Sequence, residues 1–146
     1  IKRNEYDGPH SGQISFPGGM YEESDKDLKT TALRETAEET GVNPDHIEFL
    51  GELSPLVIPV SNFTVQPYAA YLNYEPVFKQ DPFEVKYLIL TDLNMLFKKE
   101  TRKKEMRILM NREIEVPFYH INEEKIWGAT AMMLSELQII TERAGL

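Results

Sequence analysis

The stretch Arg34-Glu35-Thr36-Ala37-Glu38-Glu39-Thr40-Gly41-Val42 places three glutamates at the rear of a predicted helix and follows them with a glycine and an apolar residue. On an α-helix, Glu35 and Glu39 lie one turn apart on the same face, and Glu38 is displaced by a fraction of a turn. Leu28 and Ala32 extend that line toward the N-terminus, so the stripe begins apolar and ends anionic. Like charges at this spacing each cost a helix about 0.3 kcal/mol, and the helix dipole disfavours anions near its C-terminus. Local physics therefore opposes the arrangement. One reading is a solvated acidic face, the usual fate of a charge run. The other is a site for a hard divalent cation such as Mg²⁺, which takes oxygen ligands and bridges carboxylates to substrate phosphates. Arg34 is then either a plain surface arginine or a planar clamp that holds a glutamate in place.

Outward from this stretch, Ser24 and Asp25 supply N-cap chemistry, residues 25–40 read as one helix, and Gly41 stands where a left-handed helix terminus is expected. Residues 4–20 are rich in Gly, Pro, Asn and Ser and read as a structured loop. Strand patterns cover residues 48–53, 56–60, 63–72 and 84–90, and residues 93–97 form a helical turn. Residues 106–110 and 113–119, joined by Asn111-Arg112, predict a hairpin. A closing helix over 127–143 carries Ala131, Leu134, Leu137 and Ile140 as its apolar stripe. Central strands with one early and one late helix point to an α+β layered domain.

Composition narrows the function classes. The chain has 146 residues, 24 acidic against 16 basic, a formal net charge of −8 and no cysteine. That length fits a single domain spanning 1–146 with a true core. The acidic balance argues against a nucleic-acid binder, but not against a single diphosphate ester, since a bound cation inverts the local field. Without cysteine there is no disulfide frame, thiolate zinc site, iron–sulfur cluster or cysteine nucleophile. No apolar run approaches the roughly 18 residues of a membrane span, and a cytoplasmic location is the default. The first residue is Ile, and Ile1-Lys2-Arg3 reads as the tail of a strand, so upstream sequence is expected.

The charged helix resembles the signature of the Nudix hydrolases, G-x5-E-x7-R-E-U-x-E-E-x-G-U with U a bulky apolar residue: Arg34-Glu35, Glu38-Glu39, Gly41 and Val42 match in order and spacing. Thr36 departs from the usual aliphatic residue, and Lys26 stands at the box glutamate with Asp25 one residue further back. Gly12-Gln13-Ile14-Ser15-Phe16-Pro17-Gly18-Gly19 resembles the G-x3-F-P-G-G signature of the coenzyme A pyrophosphatase-like branch, and Ile126-Trp127-Gly128-Ala129-Thr130-Ala131 resembles its I-W-G-x-T-A segment. Arg3 matches an arginine of that branch's longer signature, whereas Gly8 stands where it has another arginine.

The resemblance implies a Nudix fold, a mixed β-sheet sandwiched between α-helices (α/β/α), with its N-terminal strands missing from this stretch of sequence. It also implies attack of water on a diphosphate with Mg²⁺ or Mn²⁺ as cofactor. Carried over by position, Glu35, Glu38 and Glu39 are the metal ligands. Glu35, Glu38 and Arg34 are the catalytic group, with Glu38 as a further ligand or base and Arg34 orienting the cluster. Gly18, Gly19, Gln13 and Ser11 face the substrate, and His10 lies on the same approach. The expected partner is a small diphosphate, coenzyme A or a thioester, and homodimers are common in the family. Competing expectations are another nucleoside diphosphate derivative (ADP-ribose, a dinucleoside polyphosphate or a damaged nucleotide) and a non-catalytic nucleotide sensor. Asp25 is a cap or a carboxylate behind the cluster, and Glu84 is either an extra carboxylate or one half of an ion pair. Residues 98–104 form a basic patch that reads foremost as a solvated face. Trp127 is a core anchor or a base-stacking ring, and His46 and His120 read as structural.

Overall fold

The computed structural model describes residues 1–146 apart from Pro9, Val60, Met110 and Leu146, and without the side chain of Leu109. The chain forms two compact units, Ile1–Ile89 and Leu90–Leu146.

In the first unit the order is β1 (Lys2–Arg3), α1 (Leu28–Thr40), a 3-10 turn (Pro44–His46), β2 (Glu48–Glu52), β3 (Leu56–Ile58), β4 (Phe63–Val65), β5 (Tyr68–Tyr71) and β6 (Val85–Tyr87). The pairs β1–β6, β2–β5 and β3–β4 are all antiparallel. Of the expected strand tail Ile1-Lys2-Arg3, Lys2 and Arg3 are strand, held by β6 on one side and by a bridge from Lys2 to Ile14 on the other.

Helix α1 begins three residues later than the sequence predicts. Its N-cap is Asp27, in extended conformation, whose carboxylate accepts from the Thr30 amide at 2.7 Å. Asp25 is withdrawn from capping because it is buried against Arg34. The end falls where expected, with Gly41 at φ 75°. A β-carbon there would sit 2.8 Å from the Lys79 carbonyl, so glycine also permits a close chain approach. The expected strand over 63–72 splits into β4 and β5 at Gln66-Pro67, where proline has no amide to donate. Val60, the last residue of the expected 56–60 strand, lies outside the described residues.

The second unit runs α2 (Leu93–Leu96), a 3-10 turn (Lys99–Thr101), β7 (Arg102–Leu109), β8 (Arg112–Ile121), β9 (Glu124–Trp127) and α3 (Gly128–Ala144). The sheet order is β7-β8-β9, again antiparallel. The expected hairpin is present but longer, with β7 starting at Arg102 inside the predicted basic loop; Met110 at its end lies outside the described residues. Strand β9 was not anticipated. It follows a two-residue turn, Asn122-Glu123, with φ 48° and 67°, a geometry usually announced by glycine. Trp127 consequently ends a strand and precedes α3 instead of opening the helix. Along α3 the buried residues are Thr130, Ala131, Met133, Leu134 and Gln138, while Ile140 is exposed. The buried stripe thus turns polar at its end, where Gln138 donates to Glu142 and the Phe97 carbonyl and accepts from Arg102 and Tyr119. The α+β class holds throughout.

Candidate active site

The site is assembled in the first unit from three segments of chain. The first is β1 with its neighbour. Arg3 N donates to the Gln13 carbonyl at 3.0 Å and Ser15 N to the Ile1 carbonyl at 3.1 Å, so residues 13–15 run beside β1 and deliver Phe16-Pro17-Gly18-Gly19 to the helix. The second is α1. The third is the segment from Lys79 to Val85, which crosses the end of α1. Lys79 N donates to the Thr40 carbonyl at 2.9 Å and Asp81 N to the Glu39 carbonyl at 3.3 Å. Those carbonyls have no partner inside the helix, so the crossing satisfies them and carries Glu84 to the same end.

Glu39 is the decisive side chain. It is 1% exposed and shares with Val85 the deepest burial of the described residues. Its carboxylate accepts from the Gly18 amide at 2.9 Å and faces Arg3 Nη1 at 3.4 Å. Burial, aided by the like charges of Glu35 and Glu84, pushes its pKa up to about 7 against the pull of Gly18 and Arg3. The solvated-face reading therefore fails for Glu39. Glu35 is half-buried and raised for the same first reason, loss of water. Its carboxylate lies against Gly19, where a β-carbon would come within 2.2–2.6 Å of the carboxylate atoms. Glu38, by contrast, is 58% exposed.

Arg34 organises this face. Its Nε and Nη2 bind Asp25 Oδ1 and Oδ2, each at 3.1 Å, in a planar two-bond fork. Nη1 reaches Glu35 at 2.9 Å and Glu38 at 3.0 Å, and Nη2 also holds the Met20 carbonyl at 3.0 Å. Asp25 further accepts from Thr31 Oγ1 and the Glu22 amide, and these bonds, Arg34 foremost, bring its carboxyl down to about 2. Thr36, the departure from an aliphatic residue, returns its hydroxyl to the Ala32 carbonyl at 2.7 Å.

The remaining sequence candidates fall into different places. Ser11 Oγ accepts from the Tyr6 amide at 2.9 Å, and Gln13 Oε1 sits 3.2 Å from His10 Nδ1, so these side chains brace their own loop. The Gly18 amide is engaged by Glu39, and Gly18 adopts φ 153°, a region open chiefly to glycine. Within the second unit, Trp127 is half-buried under the Arg107 guanidinium at 4.1 Å. Lys98, Lys103 and Lys104 of the basic run turn to Met95, His120 and Glu115 respectively. His46 packs edge-on against Tyr74.

Sequence reasoning missed the service that Gly18 and Gly19 give to Glu39 and Glu35, because the partners lie 16 to 21 residues away and no local pattern encodes the closure. It also missed the Asp25–Arg34 fork, of which the displaced box position was the visible sign.

Among the described residues, no three His, Asp or Glu side chains converge as a ready-made metal cage. The donors nonetheless fit a hard cation: all are oxygens, and the buried Glu39 carries a charge that one amide and one arginine at 3.4 Å compensate only in part. Glu35 and Glu39 could hold such an ion. Glu38 would join them by leaving Arg34 Nη1.

A model of the NUDIX domain matches residues 1–111, and the chain belongs to the Nudix family. It is 32% identical over 146 residues to Nudix hydrolase 15, mitochondrial, of Arabidopsis thaliana, covering 96% of this chain and 51% of that protein. It is 33% identical to Nudix hydrolase 22, chloroplastic, of the same plant, covering 91% and 46%. An uncharacterized Nudix hydrolase, NudL, of Pectobacterium atrosepticum is 29% identical, covering 89% and 67%. The chain thus spans about half the length of the two plant relatives and two-thirds of the bacterial one. Among the described residues no helix is long and apolar enough to cross a membrane.

Proposed function

We propose that this chain, acting as a single Nudix domain, hydrolyses the diphosphate bond of coenzyme A or its thioesters to 3′,5′-ADP and a 4′-phosphopantetheine. The observation that carries the reading is Glu39, a carboxylate buried to 1% exposure beside two others, which folding alone has no reason to retain. The family match across residues 1–111 runs past the boundary between the two units and supports treating them as one domain. Coenzyme A is favoured by the resemblance of residues 12–19 and 126–131 to the branch signatures.

Glu35, Glu38 and Glu39 would hold Mg²⁺ or Mn²⁺, which when bound would neutralise the charge that builds on the diphosphate oxygens. Arg34, anchored on Asp25, keeps Glu35 and Glu38 aimed at the same region. Glu38, at the exposed rim, serves either as a further ligand or as the base that takes the proton from the attacking water, and Glu84 adds a carboxylate from outside the helix. The Gly18-Gly19 turn, with Ser11 and Gln13 behind it, borders the space where the diphosphate lies.

Mass spectrometry of products formed from coenzyme A with Mg²⁺ or Mn²⁺, run beside ADP-ribose and a dinucleoside polyphosphate, tests this. Release of 3′,5′-ADP from coenzyme A supports the reading. Cleavage confined to another diphosphate replaces the substrate, and binding without product from any of them supports a sensor instead.

A further inference from the structure

Phe83 is 88% exposed, and it is not on a loose loop. Its amide donates to Asp81 Oδ1 at 2.8 Å, and its carbonyl accepts from Asn4 Nδ2 at 2.8 Å. The same Asn4 amide holds the Pro82 carbonyl at 2.9 Å, Asn4 N donates to the Glu84 carbonyl at 3.0 Å, and Val85 N donates to the Asp81 carbonyl at 2.9 Å. The turn is stitched on both sides and presents its aromatic ring outward. It borders a cavity of about 280 Å³ lined also by Arg3, Glu84 and Tyr6. Of its lining residues, Arg3 reaches Glu39 at 3.4 Å and Glu84 lies near enough to act on the charges of Glu35 and Glu39, so the cavity shares two residues with the surroundings of the carboxylates.

Tyr6 supplies a second ring, 49% exposed. Its place depends on Gly8, where a β-carbon would come 2.9 Å from the ring edge. Gly8 is also the position at which the chain departs from the branch signature, which has an arginine there. Rigid aromatic rings beside an anion-handling centre are how proteins take planar bases, since stacking adds affinity with little side-chain ordering.

We propose that Phe83, with Tyr6 on the same cavity, is the stacking platform for the planar base of a nucleoside diphosphate substrate. This rests on the hydrolase reading above and names where its base goes. An aliphatic diphosphate ester would gain nothing from these rings.

Calorimetric titration in Mg²⁺ buffer with two probes, ADP and inorganic pyrophosphate, isolates the base. Wild-type protein should bind ADP about 10- to 100-fold tighter than pyrophosphate, the span expected of one stacked base. Phe83→Ala should erase that advantage and leave pyrophosphate binding unchanged, Phe83→Trp should keep it, and Gly8→Ala, which displaces Tyr6, should reduce it. In turnover the Phe83→Ala loss should appear in KM rather than kcat. An ADP advantage that survives in Phe83→Ala, or that wild-type protein lacks, overturns the proposal. Turnover that is intact with the advantage unaltered by Phe83→Ala leaves the hydrolase standing without this platform. A Phe83-dependent advantage in a protein that cleaves no diphosphate removes the hydrolase and leaves the base site.

Discussion

The α-carbon of Gly19 backs onto the carboxylate of Glu35 so closely that any β-carbon would fall within 2.6 Å of its Cδ and both oxygens. A glycine 16 residues earlier in the chain thereby decides where a candidate metal ligand points. Gly19→Ala should leave the melting temperature near that of wild type, because the glycine is exposed, yet push Glu35 out of line. Metal affinity measured by titration with Mn²⁺ should fall about 10- to 100-fold, as when a ligand's supporting contact is lost.

Glu39→Gln keeps an acceptor for the Gly18 amide and removes the buried charge. Turnover should fall by at least about 100-fold, since a ligand carboxylate is lost. Thermal melts of the metal-free variant at pH 8 should show a protein more stable than wild type, because Gly18 and Arg3 compensate the buried charge only in part. Loss of turnover together with a lower melting temperature would make Glu39 structural.

The raised pKa of Glu39 fixes the sign of a pH dependence. Its folded value of about 7 lies above the ordinary 4.5, so between those values the folded state holds a proton that the unfolded state has released. Stability from this group is complete below pH 4.5 and is lost as pH rises through 7, a change on the order of 3 kcal/mol. Denaturant melts of metal-free protein at pH 5 and pH 8 measure it. Added Mn²⁺ should restore more stability at pH 8 than at pH 5.

Asp25→Asn removes the charge that anchors the Arg34 fork. Arg34 is then free to follow Glu35 and Glu38, and Mn²⁺ affinity should drop about 10- to 100-fold. Asp25→Ala should be at least as severe. Unchanged affinity in both variants would leave the fork as a helix brace alone.

In the second unit, Glu123 occupies φ 67° in the tight turn between β8 and β9. Glu123→Gly should raise stability by roughly 1 kcal/mol, since glycine carries no penalty in that region. Activity should not change.

Much of this protein could be read along the chain because the relevant interactions are short-ranged. Gly41 announces the end of α1, alternating apolar residues announce β7 and β8, and the spacing of Glu35, Glu38 and Glu39 places them within one helical turn. The misplaced start of α1 has a different origin. Ser24, Asp25 and Asp27 all carry cap chemistry, and the choice among them falls to Asp27 once Arg34 and Thr31 draw Asp25 inward. Strand β9 escaped notice because Glu123 adopts a turn conformation that its residue type disfavours.

Periodicity and spacing by themselves determined the helix that bears the carboxylates and the oxygen-donor chemistry they offer, whereas the family rests on the resemblance of its motifs and the NUDIX domain match. Which glutamate is buried was beyond them. Glu38 and Glu39 are adjacent and chemically identical, yet one is 58% exposed and the other 1%, because burial depends on what packs against each. Here β1, the Gly18-Gly19 turn and the segment from Lys79 to Val85 close over Glu39 and leave Glu38 outside, and such closures are made between residues far apart in the chain, where no local pattern reaches.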